Sequence, residues 1–359
     1  MKPFIYLRGL RHAQHTVFGV QEGQKYFYDA QFGRRMAYSS GQQVKRSIIE
    51  ALNLPFAAIT FNWEIDKKEK RANQKEPHSP CDPSFADQLL GGYMKAESGS
   101  FTVKRRSPLS ISAMRPLHPL LGGIENPTEN ITFDRTSHPE HHKVNVFWLE
   151  NNKRGNKLTD EELNSWLTEN KRNLPNRAFI QDLTRASGLF VYDIAIDLRT
   201  LFCVSINKLE PELFPEIEQK LRDNGWQDGQ NIFGKCLIAP KELRDRIIPA
   251  LANALVNWRI TSNQARTFSL METVALAISE NANQIAYAIR GELSEDTSSD
   301  RPKAAPRIDQ TAKADFFITP IASSFIPGVS GNADEIDKAE AKLIELMNSF
   351  DYENQLATV

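Results

Sequence analysis

Apolar and polar positions interleave over residues 4–10 and again over 15–20, the two-residue period of half-buried strands. The period then changes. Val44, Ile48, Ala51 and Leu52 fall at i, i+4, i+7 and i+8, which predicts an amphipathic helix with one apolar stripe. Ser39 or Ser40 stands where an N-cap belongs, and Lys45 and Arg46 lie near the first turns. Residues 62–80 are charged and lack apolar periodicity, so they predict a surface excursion. A short helix is expected over 84–95, ending near Gly91 and Gly92, and an extended basic stretch over 101–112. Residues 115–143 hold Pro116, Pro119, Gly122, Gly123, Pro127 and Pro139, the composition of a long protruding loop or hairpin. Further on, 144–149 predicts a strand, and 159–170 a helix whose Thr159 and Glu162 have capping-box spacing. Residues 189–198 predict a strong strand that 201–206 continues or pairs with. Helices are expected at 211–223 and 240–257, then a polar turn at 261–267, an apolar run at 270–278, a flexible segment over 292–313 and a closing helix over 333–350. Strands and helices interleave with large insertions, so the fold class is α+β.

Composition narrows the partners. The 359 residues carry 44 Lys+Arg and 45 Asp+Glu, a formal net charge of -1. Residues 1–120 contain 18 Lys+Arg and 10 Asp+Glu, a local net of +8. The other 239 carry 26 and 35, a net of -9. Such asymmetry suits a polyanion footprint on the first third, or an ordinary clustering of solvated charge. No apolar run is long enough to span a bilayer and no signal peptide is evident, so a cytoplasmic protein without a membrane partner is expected. Cys81, Cys203 and Cys236 are too widely spaced for a zinc site. His138, His141 and His142 form one cluster without a neighbouring Cys, more in keeping with a loop than a metal site, and neither a metal nor a cofactor is expected. No nucleotide-triphosphate loop, catalytic triad or dinucleotide fingerprint occurs, so no residue is nominated for catalysis.

Three clusters invite anion binding. At the first helix, unpaired backbone amides, the dipole, Ser39, Ser40, Gly41, Lys45 and Arg46 suit a phosphate; the same residues also suit a capped surface helix. Lys104, Arg105 and Arg106 put cations on both faces of an extended segment, facing an anion or guarding a sheet edge. Asn263, Gln264 and Arg266 offer donors to a phosphate or ribose hydroxyl, or form a helix-terminal turn. Beside them, Arg115 and His118 belong to an apolar loop segment that could wedge between bases, pack on a neighbour, or anchor to its own core.

The run from Arg34 to Ile48 resembles the signature of the RAMP-superfamily backbone subunit of type I CRISPR Cascade, in which a Ser-Ser/Gly-Gln-x-x-Lys-Arg motif opens the first helix. Asp87-Gln88-Leu89-Leu90-Gly91-Gly92-Tyr93-Met94 is similar to the family's Asp-x-x-Leu-Phe-Gly element, and Lys104-Arg105-Arg106-Ser107-Pro108-Leu109 to its Arg-x-Ser-Pro-Leu strand. Asn263-Gln264-Ala265-Arg266 resembles the family's late loop, with Thr261-Ser262 in place of its glycines. The resemblance implies a ferredoxin-like (RRM-type) palm from 1–52 and 144–290, a helical finger insertion and basic strand within 53–113, a β-hairpin thumb within 114–143, and a flexible segment plus C-terminal helix over 291–359. It further implies a crRNA-binding spine subunit, not an enzyme, that oligomerises along the guide, with Ser39, Ser40, Gly41, Gln42, Lys45 and Arg46 holding guide phosphates, Arg34, Arg35 and Gln43 beside them, and Asn263, Gln264 and Arg266 adding contacts from the late loop. Its partners would be crRNA, target DNA as guide–target heteroduplex, further copies of itself and other Cascade subunits. Two alternatives stay open: a type III backbone subunit that cleaves target RNA through an aspartate such as Asp29, Asp87 or Asp134, and a monomeric RNA-binding module.

Overall fold

The computed structural model describes residues 2–19, 24–66, 71–96, 102–125, 131–134, 143–150, 153–174, 177–180, 184–261, 267–294 and 301–356. The chain divides into two compact units, 1–125 with 185–359, and 126–184. It is an α+β protein with antiparallel sheets.

The larger unit is built on a seven-stranded sheet. Strand β1 (Phe4–Thr16) is one continuous strand where the sequence suggests two; its pairing with β9 (Arg185–Asp197) slips between Ala13 and Thr16, where His15 adopts a positive φ of 48°. On its other side β1 pairs with β13 (Thr273–Ser279), and β13 with β16 (Asp315–Ile318). Three short strands, β6 (Leu109–Ile111), β7 (Arg115–Pro116) and β8 (Gly122–Glu125), line up along the outer side of β9. Residues 115–125 therefore belong to the sheet, and the separate unit begins at Asn126 rather than at 114.

Three helices belong to the core on one face: α1 (Gly41–Glu50), α5 (Lys241–Asn257) and α7 (Glu335–Asn348). The alternation of β1 explains this. Ile5 and Leu7 point into a cluster with Ile194, Ile196, Leu276, Ile278, Val44, Ile48, Leu251 and Leu343. Leu10 points to the opposite face, into a second cluster with Leu189, Ala275, Ala277, Ile285 and Ile289. That cluster is completed by α6 (Ala282–Ala288) and by β14 (Ile289–Leu293), which pairs with β15 (Ala304–Ile308). The segment expected to be flexible over 292–313 thus carries a strand at 304–308; its residues 295–300 lie outside the described ones.

Arg11 occupies the helix side of β1 with no exposure. Its guanidinium stacks 4.2 Å from the Trp258 ring centroid and donates to the carbonyls of Trp258 (2.6 Å) and Val256 (3.1 Å). Those carbonyls lie at the C-terminus of α5, where acceptors lack intrahelical donors and the dipole favours a cation. Gly9 makes room for this arrangement, since a Cβ there would sit 2.4 Å from the Tyr192 ring that packs edge-on against Trp258.

A three-stranded sheet, β10 (Cys203–Ser205), β12 (Gly234–Ile238) and β11 (Gln227–Asn231), lies beside α4 (Pro215–Asp223) and shares the first cluster through Val204, Leu237, Leu221 and Trp226. A short helix, α2 (Ala86–Gly91), leads to the pair β4 (Tyr93–Lys95) and β5 (Val103–Arg105). Residues 63–66 and 71–74 pair as a hairpin within the stretch read as irregular. In the smaller unit Phe147–Glu150 pairs with Lys153–Lys157, Ile131–Asp134 with Arg177–Ile180, and α3 (Asp160–Glu169) carries the expected Thr159–Glu162 capping box. Among the described residues no helix is long and apolar enough to cross a membrane.

Candidate nucleic-acid interface

The segment before α1, turn-rich by composition, folds as a hairpin. β2 (Tyr26–Asp29) pairs with β3 (Arg34–Ala37), with Asp29 accepting from the Phe32 amide at 2.8 Å to hold the turn. Tyr26, Phe27 and Tyr28 are all exposed, and so are Arg34 and Arg35. Arg35 lies 5.1 Å from the Tyr26 ring centroid, and Arg34 donates to the Pro119 carbonyl at 3.1 Å. Three consecutive aromatics followed by a Gly33 turn and two arginines are a strand signature, and they could have been found from the sequence.

β3 leads directly into α1. Ser39 exchanges backbone hydrogen bonds with Met114 (3.0 Å each way), which fixes the helix start beside β7 and its exposed Arg115. Ser40 is the N-cap: its Oγ accepts from the Gln43 amide at 3.3 Å and its carbonyl from Val44 at 3.0 Å. The amides of Gly41 and Gln42 precede the first intrahelical bond and point out of the helix start, where the dipole favours an anion. Gln42 and Arg46 are exposed, and Arg46 pairs with Glu50 across one turn at 2.7 Å. The helix start thus carries Ser40, Gln42, Gln43 and Arg46 with Arg115 beside it, and the hairpin that leads into it carries Arg34 and Arg35.

Several candidates have other duties. Ser39 is fully buried and its hydroxyl meets no partner among the described residues, so it does not face an incoming strand. Gly41 permits close packing rather than close approach of an anion: a Cβ there would stand 2.6 Å from the Ile111 carbonyl oxygen. Lys45 is half-buried and its Nζ donates to the Gly91 carbonyl at 2.6 Å, closing the C-terminus of α2; burial draws its pKa below the usual lysine value. Arg105 is a core residue. Its side chain is 1% exposed and donates to Leu89 (3.3 Å), Cys203 (2.9 Å) and Thr200 (2.8 Å) carbonyls and to Glu212 (3.1 Å), which leaves nothing for a polyanion. Lys104 and Arg106, its neighbours, are exposed and open onto a separate groove.

His118 packs edge-on against Phe32 and accepts from the Leu120 amide at 3.1 Å; burial lowers its pKa, which favours the neutral ring. Asn263, Gln264 and Arg266 lie outside the described residues, as do His138, His141 and His142. Asp87 is spent on the Ala57 amide (3.0 Å) and the Gln88 side chain (2.9 Å). The Asp134 side chain also lies outside the described residues. On the sheet face, Asp193 pairs with Arg8 at 3.1 Å; burial raises its pKa against the opposing pull of Arg8 and Arg115.

No protein-family model matches the chain, and no curated protein matches it. Among solved structures it is similar to a chain described as "CRISPR RNA-guided surveillance complex, pre-nicking", with a TM-score of 0.44, 10% identity and coverage of 96% of this chain and 89% of that one. It is also similar to a chain of a "CRISPR RNA-guided surveillance complex", with a TM-score of 0.38, 10% identity and coverage of 94% and 99%. These structural neighbours are chains of CRISPR RNA-guided surveillance complexes.

Proposed function

We propose that the chain is a guide-RNA (crRNA) backbone-binding subunit that oligomerises along the RNA in a CRISPR effector complex for RNA-guided DNA recognition, and that it is not itself an enzyme. The observation that carries this reading is the start of α1. A capped helix presents amides together with exposed Gln42 and Arg46, beside a hairpin bearing Arg34 and Arg35 and a strand bearing Arg115. Such donors grip phosphates and are indifferent to base identity, as a spine for arbitrary guides requires. Bases left unread are free to pair with a target strand, which supplies the specificity.

The strand order supports a ferredoxin-like, RRM-type palm. The short strands β6–β8, then β9, β1 and β13, lie side by side, with α1 following β1 and α5 preceding β13. That is the order of a β-α-β-β-α-β unit. The arrangement of motifs over 34–48, 87–94 and 104–109 adds the family resemblance drawn from the sequence.

The test is to express the chain with its neighbouring genes and a CRISPR array and to recover the bound nucleic acid. Wild type should bring down uniform guide-length RNA in an assembly of several copies. Arg34→Glu with Arg35→Glu and Arg46→Glu should strip the RNA, while Lys45 stays untouched because its role is structural. Against single-stranded RNA, removing one cation that neutralises a phosphate should lower the slope of log affinity on log salt by about 0.7. A monomer without RNA, and arginine variants that change nothing, would overturn the reading. RNA shortened on incubation, and protected by Asp29→Ala, would refute the non-enzymatic part.

A further inference from the structure

A second basic site lies away from the start of α1. Between β5, β10 and the β11–β12 turn runs a groove of about 830 Å³, within the range of clefts that hold small ligands, roughly 300–1,000 Å³. Its charged lining divides into satisfied and unsatisfied groups. Arg105 is consumed by Glu212, and Asp197 holds Arg199 in a two-point contact of 2.8 and 2.9 Å. That leaves Lys104, Arg106 and Lys235 facing the groove against Glu210, and none of the three has a carboxylate within 4.0 Å among the described residues. The excess is cationic.

An aromatic stands among these cations. Phe233 sits at the tip of the β11–β12 hairpin and is 62% exposed, beside Ile232 at 50%. The tip is built rather than loose: the Asn231 side chain accepts from the Phe233 amide at 2.9 Å and donates to the Arg199 carbonyl at 3.3 Å. Arg199 backs the ring at 4.9 Å from its centroid, itself clamped by Asp197 and stacked on Phe4 at 4.7 Å. A solvent-facing ring backed by Arg199 and lining the same groove as Lys104, Arg106 and Lys235 matches a nucleotide, which brings a flat base and an anionic phosphate together. An acidic peptide would use the cations and leave the ring idle.

We propose that this groove is a second nucleic-acid site, which takes one nucleotide of a single strand with its base on Phe233 and its phosphates on Lys104, Arg106 and Lys235. It extends the phosphate grip at α1 to a base contact and does not depend on it. Because every base has a stacking face, the site has little sequence preference.

The experiment measures binding of a short fluorescein-labelled oligouridine to the full chain by fluorescence anisotropy across a salt series. Phe233→Ala should weaken binding roughly 5- to 100-fold, the loss of one stacked base. Lys104→Gln with Arg106→Gln and Lys235→Gln should reduce the salt slope by about 2. Phe233→Trp should keep the affinity and show tryptophan quenching on RNA addition beyond that of wild type. All these positions are exposed, so melting curves should match wild type and separate binding from misfolding. Wild-type affinity, slope and quenching in all three variants overturns the proposal. Arg46→Glu, run in parallel, separates the two readings: its loss of oligouridine with groove variants intact leaves only the α1 interface standing, and the reverse leaves only the groove. Groove variants that bind oligouridine normally but lose RNA-free self-association in sedimentation would assign the groove to an acidic segment of a second copy, and would also overturn it.

Discussion

Two glycines on neighbouring helices should respond to the same substitution with opposite signs. Gly41 is the first residue of α1 and Gly91 the last of α2, and neither has a positive φ. Replacing glycine by alanine in a helix gains about 0.5–1 kcal/mol, because the unfolded chain loses freedom and the helix does not. At Gly91 nothing lies within 4 Å of the added carbon, so that gain should appear nearly whole. At Gly41 the added carbon meets the Ile111 carbonyl oxygen at 2.6 Å and the Ser112 backbone at 3.2 and 3.3 Å. Ile111 is the last residue of β6, anchored to β9, and Ser112 donates its amide to the Asp193 carbonyl at 2.9 Å, so the neighbour is backbone with little room to give. Overpacking of this kind costs about 1–3 kcal/mol. Gly41→Ala should therefore be destabilising by about 0.5–2 kcal/mol and Gly91→Ala stabilising by up to about 1 kcal/mol. Equilibrium denaturant unfolding with a fixed m-value reads both. If Gly41→Ala stabilises as much as Gly91→Ala, the helix start is not seated against β6 and the placement of its amides beside Arg115 fails with it.

Adjacent arginines in β5 and just after it should also separate cleanly. Arg105→Ala strands Glu212 and three carbonyls in a buried setting and should cost about 3–5 kcal/mol, whereas Arg106→Ala, on the exposed side, should stay within about 0.5 kcal/mol of wild type in the same unfolding assay; equal losses would contradict the inward orientation of Arg105. Asp82 is nearly buried and bonds to Lys220 at 2.6 Å and to the Ser84 amide at 2.9 Å. Burial alone would raise its pKa, but those bonds together hold it below the usual value. A carboxyl with a depressed folded pKa stabilises the fold above its unfolded pKa near 4 and loses that contribution as pH falls through the folded pKa. Asp82→Asn should thus flatten the acid limb of the stability-against-pH curve below about pH 4, and an unchanged acid limb would count against the pairing.

The sequence made α1 legible because its signals agree: a capping serine, an apolar stripe and a change of period all point to one element starting at Gly41. The capping box at Thr159 was legible for the same reason. What stayed hidden depends on tertiary partners. Strands of two to four residues at 115–116 and 122–125 carry too few positions to show a period, and they are strands only because β9 offers them a free side. The aromatic tip at Phe233 escapes a sequence reading because an exposed aromatic breaks the inside–outside alternation by which strands are found, whereas the Tyr26–Ala37 hairpin left a legible mark in its run of aromatics before a glycine turn.

Charge misleads in a related way, and correcting for it sharpens the interface. A count over 1–120 treats all cations alike, yet a cation's availability depends on which side of its strand or helix it occupies. In β1, Arg11 falls on the side of the helices and is consumed by the carbonyls at the end of α5. In β5, Arg105 alternates inward between outward Lys104 and the following Arg106. In α1, Lys45 reaches α2 while Arg46, one residue on, looks to solvent. The Lys45-Arg46 and Lys104-Arg105-Arg106 runs therefore split between structural and available charge, with the structural member fixing the backbone from which the others project, whereas Arg34 and Arg35 are both exposed. The Lys45-Arg46 and Lys104-Arg105-Arg106 runs follow from this as paired devices, and charge reversal across a whole run would confuse unfolding with weakened binding. Within 1–120 the outward members Arg34, Arg35, Arg46, Lys104, Arg106 and Arg115 test a polyanion footprint, as Lys235 does in the groove.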